Sequence, residues 1–104
     1  MSPKPLVSIL LPIYNYNNFR PVVDSILEQD YKNFELLICD DGSKPSIKHI
    51  DFKDQRVKFY KNKNNIGLGP TLNKLLSKTD DKSAYFSTIE QDDIYKPYFI
   101  KDCV

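Results

Sequence analysis

The sequence has no tryptophan, one histidine, one methionine, two cysteines and three glycines. Each shortage excludes something. Cys39 and Cys103 form no Cys-x-x-Cys pair, and His49 has no partner at helical spacing, so a structural zinc site, which needs four ligands, is excluded. A histidine-assisted nucleophile would have to use His49, which lies in a polar, Lys-rich stretch that suits it poorly. Cys39 sits in an apolar run and reads as a small core residue. Gly67-Leu68-Gly69 invites a dinucleotide fingerprint, but Leu72 stands where the third glycine belongs, and the first strand–helix turn has no glycine. A Gly-Lys-Ser/Thr phosphate loop is also missing. Gly67 and Gly69 read instead as a tight turn, with Pro70 opening a helix. Long apolar runs are absent too: Val7–Leu11 is interrupted by Ser8 and stopped by Pro12, far short of the roughly 20 residues of a membrane span. With no signal-peptide core or cleavage site, the expected location is cytoplasmic, any membrane association falling to a C-terminal region outside these residues.

A marked excess of one charge is lacking as well. Fifteen Lys/Arg against fourteen Asp/Glu give a net charge of +1, which excludes a general polyanion binder and argues against nucleic acid as a partner. The charge is unevenly spread, with ten Lys/Arg and four acids in residues 44–82. A solvated basic face is the favoured reading, and a surface for anionic lipid or a phosphate-bearing substrate is the other. What the chain does have is 40% hydrophobic residues over 104 positions, enough for one domain core.

The apolar pattern alternates strand and helix. Val7–Leu11 reads as a first buried strand. Asn15-Tyr16-Asn17-Asn18 is turn chemistry, with an N-cap at Asn17 or Asn18. Phe19, Val22, Val23, Ile26 and Leu27 then form one helical stripe, with Pro21 in the first turn. Phe34–Cys39 is a second strand and Val57–Tyr60 a third. Residues 44–54 hold a short helix or irregular turn. Leu68, Leu72, Leu75 and Leu76 share a helical face, Ala84–Ile89 is a fourth strand, and Tyr98–Val104 begins a helix. The expected core includes Ile9, Leu11, Val23, Ile26, Leu27, Leu36, Ile38, Leu72 and Leu76. Ile89, Phe99 and Ile100 are expected on an uncovered apolar surface, which would favour a homodimer.

This order argues an α/β fold with a mostly parallel sheet and flanking helices, in which ligands bind beyond the carboxyl ends of the strands. Those ends are distinctive: Pro12-Ile13-Tyr14-Asn15, Asp40-Asp41, and Glu90-Gln91-Asp92-Asp93. Clustered carboxylates repel unless a cation neutralises them, and their oxygens suit Mg²⁺ or Mn²⁺ shared with substrate phosphates. Tyr14 can stack on a base, and Asp40 or Asp41 can accept from a ribose or base. Taken singly, each motif is equally a turn, a cap or a solvated loop. Taken together, three coincident strand ends favour a site for a metal-bound nucleoside diphosphate.

The segment Val7–Asn15 resembles the opening strand of family 2 glycosyltransferases of the GT-A fold. Phe34–Ser43 is similar to their second strand with its Asp-Asp-Gly-Ser ending. Asn65-Ile66-Gly67 followed by Asn73 resembles their Asn-x-Gly…Asn segment, and Ala84–Asp93 followed by Pro97 the strand that carries their Asp-x-Asp metal motif. The resemblance runs from about residue 6 to residue 100, with the four motifs in order. It implies a Rossmann-like nucleotide-sugar-binding half, occupying 1–104 as a single truncated domain. Pro12 and Tyr14 would line the base pocket, Asp41 would contact uracil or ribose with Asp40 beside it, and Asp92 would hold Mn²⁺ or Mg²⁺ with Glu90 and Asp93 in support. The sequence departs from the family at Ile13, where Thr is common, at Leu72, where Arg is common, and at Glu90-Gln91-Asp92, which replaces Asp-x-Asp. The partners implied are a nucleotide-sugar donor, chiefly a UDP-sugar, and an acceptor that is a glycan, lipid or protein. The acceptor site and catalytic base would lie in a second half, so no catalytic residue is assigned within these positions. A non-catalytic nucleotide-binding or interaction module is the alternative, and a phosphoryl-transfer enzyme a third reading that lacks an evident phosphate clamp.

Overall fold

The computed structural model describes residues 4–45, 47 and 52–104. His49 and part of the 44–54 segment lie outside them. Seven elements follow one another: β1 (Leu6–Ile13), α1 (Arg20–Leu27), β2 (Phe34–Asp41), β3 (Val57–Asn62), α2 (Leu68–Ser77), β4 (Ser83–Thr88) and α3 (Phe99–Cys103). The four strands form one sheet in the order β3-β2-β1-β4, every neighbouring pair parallel.

All eight residues of β2 are buried, as in a central parallel strand covered on both faces, and its middle, Leu36–Cys39, is a continuous apolar run. Alternation along the strands divides the core in two. Ile9, Leu11, Ile13, Leu36 and Ile38 meet Val22, Val23 and Ile26 of α1 together with Ile89 and Ile100. Leu10, Leu37 and Cys39 meet Leu75 of α2 on the other face.

β1 continues through Pro12 to Ile13, where the sequence suggested a stop. Leu10 faces β4, its carbonyl accepting the Ile89 N–H at 2.9 Å. By backbone alternation Pro12 directs its missing donor the same way, past the end of β4, where no ladder bond is lost. The N-cap of α1 is Phe19, without a side-chain cap, in place of Asn17 or Asn18. Pro21 does lie in the first turn.

In α2 the inward line is Thr71 and Leu75, both fully buried, while Leu68 is exposed and Leu76, expected in the core, is 41% exposed. The Thr71 hydroxyl accepts from the Asn62 amide at 3.2 Å, so a polar contact at the strand ends sets the rotation of this helix.

The surface expected at Ile89 and Ile100 is closed: both are buried, and Phe99 is partly so. Gln29 holds α3 down. Its Oε1 accepts the Ile100 N–H at 2.9 Å, and its Nε2 donates to the carbonyls of Ser25 at 3.0 Å and Lys96 at 2.5 Å.

The chain runs outward from β1 to β3 and then crosses back to β4 on the other side of β1. The strand order therefore reverses between β1 and β4, and the crevice above their carboxyl ends is where such sheets bind ligands.

Candidate nucleotide-diphosphate site

The end of β2 is shaped by Asp40, Asp41 and Gly42. Neighbouring residues on a strand face opposite ways, so the two aspartates have different tasks. Asp40 turns toward the α1 face. Its carboxylate accepts the Ser43 N–H at 3.0 Å and the Ile47 N–H at 3.3 Å, and it is buried in that turn. Asp41 turns toward α2. Its Oδ1 accepts from Asn62 Nδ2 and the Ile66 N–H, each at 2.9 Å, and its Oδ2 from Asn65 Nδ2 at 2.9 Å and the Gly67 N–H at 3.0 Å. Burial alone would raise the Asp41 carboxyl, but these donors and the Thr71 hydroxyl outweigh it and hold it below the ordinary aspartate value.

Gly42 lets the 64–67 loop lie across this turn. Its φ is +70°, and a Cβ there would sit 2.3 Å from the Asn65 nitrogen and 2.4 Å from the Asn64 carbonyl carbon. Gly67, at φ +97°, precedes the first turn of α2.

The β1 exit is tied to the β2 exit. Asn15 donates its N–H to Ser43 Oγ and accepts the Lys44 N–H on Oδ1, both at 2.9 Å. On the opposite side Tyr14 donates its N–H to Gln91 Oε1 at 2.9 Å. The acidic loop after β4 is itself anchored: Tyr95 Oη accepts the Glu90 N–H at 3.0 Å, and the Tyr95 N–H reaches Ser25 Oγ of α1 at 3.1 Å.

A cavity of about 530 Å³ opens at the switch point. Pro12, Tyr14, Asp41, Glu90 and Asp92 line it. Asp40 and Asp93 do not: Asp40 is folded into its turn, and Asp93 borders a smaller hollow beside Tyr16 and Asn18. Sequence reasoning missed Thr88, Ile89 and Gln91 as wall residues, and it treated Asn65 only as a family marker and Gly67 as that and a turn residue. The Gly-rich loop next to an acidic strand end is the signal that could have found the last two. Leu68 and Leu72 complete an apolar wall, and no Lys or Arg lines the cavity among the described residues.

Glu90, Asp92 and Asp93 are exposed, and each offers one carboxylate oxygen within 4.8 Å of the others. Three hard oxygen donors at a water-accessible rim are of the ligand type that Mg²⁺ and Mn²⁺ take.

The comparisons agree with this geometry. The sequence pattern of glycosyl transferase family 2 matches residues 8–104. The chain belongs to glycosyl transferase family 2. It is similar to an uncharacterized glycosyltransferase of Rickettsia typhi, 42% identical over 96 residues that cover 89% of this chain and 29% of the relative. It is also similar to the Escherichia coli UDP-Glc:alpha-D-GlcNAc-diphosphoundecaprenol beta-1,3-glucosyltransferase, at 33% identity over 86% of this chain and 36% of that protein. Among solved structures, residues 1–349 of Staphylococcus aureus TarS in complex with UDP-GlcNAc superpose with a TM-score of 0.73 at 21% identity, over 92% of this chain and 29% of that fragment. That likeness shows the GT-A fold. The family 2 chain thus spans about a third or less of the length of the relatives it matches. No helix among the described residues is long and apolar enough to cross a membrane.

Proposed function

We propose that this chain is the donor-binding part of a glycosyltransferase, taking a nucleotide-sugar, chiefly a UDP-sugar, whose sugar passes to an acceptor hydroxyl. One observation carries the reading: the cavity at the β1/β4 switch point is lined by Tyr14, whose side chain is exposed, and by Glu90 and Asp92 of the acidic run. The UDP-GlcNAc held by TarS and the UDP-Glc named for the E. coli relative support uridine as the base.

Tyr14 presents its ring to the base, beside Pro12 and the apolar Leu72. Asp41 holds the Asn65–Gly67 loop as one wall of the cavity, its carboxylate oxygens already taken by Asn62, Asn65, Ile66 and Gly67. Glu90, Asp92 and Asp93 would hold Mn²⁺ or Mg²⁺, which when bound stabilises the negative charge that develops on the diphosphate leaving group. Because carboxylates and no cationic side chain line the cavity among the described residues, a diphosphate entering alone faces the repulsion of Glu90 and Asp92, with only the α2 N-terminus at Gly67 and Leu68 to offset it. Nucleotide binding is therefore strictly cation-dependent. Thermal denaturation with UDP, UDP-Glc or UDP-GlcNAc tests this: the midpoint should rise with Mn²⁺ or Mg²⁺ present and stay put without it. No rise under either condition would overturn the reading.

A further inference from the structure

We propose that Gln91 is a positioning residue for the nucleobase platform, fixing the Tyr14 backbone so that its ring faces the cavity; this rests on the nucleotide reading above. Gln91 stands between Glu90 and Asp92, where a neutral side chain would otherwise be a mere spacer in an acidic run. Its amide oxygen instead bridges the cavity mouth to a residue 77 positions away.

The reason lies in the ladder between β1 and β4. Their pairing ends at Leu10 and Thr88, with one further bond from the Ile89 N–H to the Leu10 carbonyl. The next β1 residue facing β4 is Pro12, which has no N–H to offer. The one after it is Tyr14, already past the end of β1. Pro12 cannot donate the next ladder bond, and beyond it the Gln91 side chain is the acceptor for the Tyr14 N–H at 2.9 Å. On the β2 side the next residue, Asn15, is held in a left-handed turn (φ +51°) by Ser43 and Lys44. The β1 exit is thus fixed from both sides, and Gln91 is the half of that clamp that borders the cavity. Gln91 is itself steadied because the neighbouring Glu90 N–H is bound by Tyr95 Oη.

What the position needs is an acceptor at the end of a four-atom arm. Gln91→Met removes the acceptor at similar volume, and Gln91→Glu keeps it. The test is titration of the ¹⁵N-labelled chain with uridine, which carries no phosphate, in the absence of divalent cation, so that the carboxylate cluster does not enter the readout. Gln91→Met should move the Tyr14 amide proton upfield and weaken uridine binding roughly three- to tenfold, the worth of one hydrogen bond. Gln91→Glu should retain the Tyr14 amide position and bind uridine within about twofold of the parent, as expected when the acceptor is preserved. Uridine affinity in Gln91→Met equal to the parent, or equal losses in Met and Glu variants, would overturn the role of Gln91 alone. A parent chain that binds neither uridine nor cation-loaded UDP would overturn the nucleotide reading and this inference with it.

Discussion

At Gly42 a single methyl group has nowhere to go. An added Cβ meets backbone atoms of Asn64 and Asn65 at under 2.5 Å, and the φ of +70° is strained for any L side chain. Gly42→Ala should cost about 1–3 kcal/mol in a urea titration. It should also weaken cation-loaded UDP, because the displaced loop is a cavity wall; unchanged stability would show that the loop yields freely. Two buried carboxylates add a pH dependence. Burial would raise Glu35, but Ser8 Oγ at 2.6 Å, the Asp80 N–H at 2.8 Å and Lys58 Nζ at 3.0 Å outweigh it and hold it low, as the donors around Asp41 do there. Folded values below the unfolded ones, near about 4, mean that this stabilisation is present above that pH and is lost as pH falls through the folded values. The urea midpoint should hold from neutrality to about pH 5 and fall steeply below about pH 4, the fall being shallower in Glu35→Gln. A flat profile would contradict the hydrogen-bonded geometry. The paired aspartates could be read in the sequence as a strand end with polar work to do. Which one faces the cavity could not, because that depends on whether α1 or α2 covers each face.

The strands were readable at the scale of elements, because Val7–Leu11 and Phe34–Cys39 are apolar enough to require burial on both faces. The helix α2 was readable in place but not in rotation. Four leucines outvote one threonine in any hydrophobic pattern, yet Thr71 goes inside, since it closes a network with Asn62 that only the folded strand ends create. The helix α3 was readable as an element but not in its packing, for a similar reason. Nothing in the sequence singles out Gln29, a polar residue just past α1, as the fully buried clamp on a segment 71 positions away. Removing it leaves the Ile100 N–H and the Lys96 carbonyl without their partner. Gln29→Ala should therefore destabilise the chain by roughly 1–3 kcal/mol, the penalty of unsatisfied buried groups. It should also expose Ile89 and Ile100 to an apolar dye. A loss under about 0.5 kcal/mol, as at a surface site, would show that α3 is held by packing alone.

For the whole molecule, one feature of topology organises everything described above: the reversal of strand order at β1/β4. It brings Tyr14, the Asp41-held loop and the acidic run to one crevice although they lie far apart in sequence. The two edges of the sheet differ. β3 carries Lys58 and Lys61, whereas β4, Ser83–Thr88, has no charge and pairs only with β1 among the described residues, leaving Tyr85 and Phe86 exposed. The central claim is that the acidic rim receives a cation, without which its carboxylates repel a diphosphate. Calorimetry of UDP with the parent chain and with Asp92→Asn, each with and without Mn²⁺, tests it most directly. The account predicts heat of binding only for the parent with Mn²⁺, and little or none for Asp92→Asn under either condition. Equal UDP binding by the parent with and without Mn²⁺, or an Asp92→Asn chain that responds to Mn²⁺ as the parent does, would contradict it.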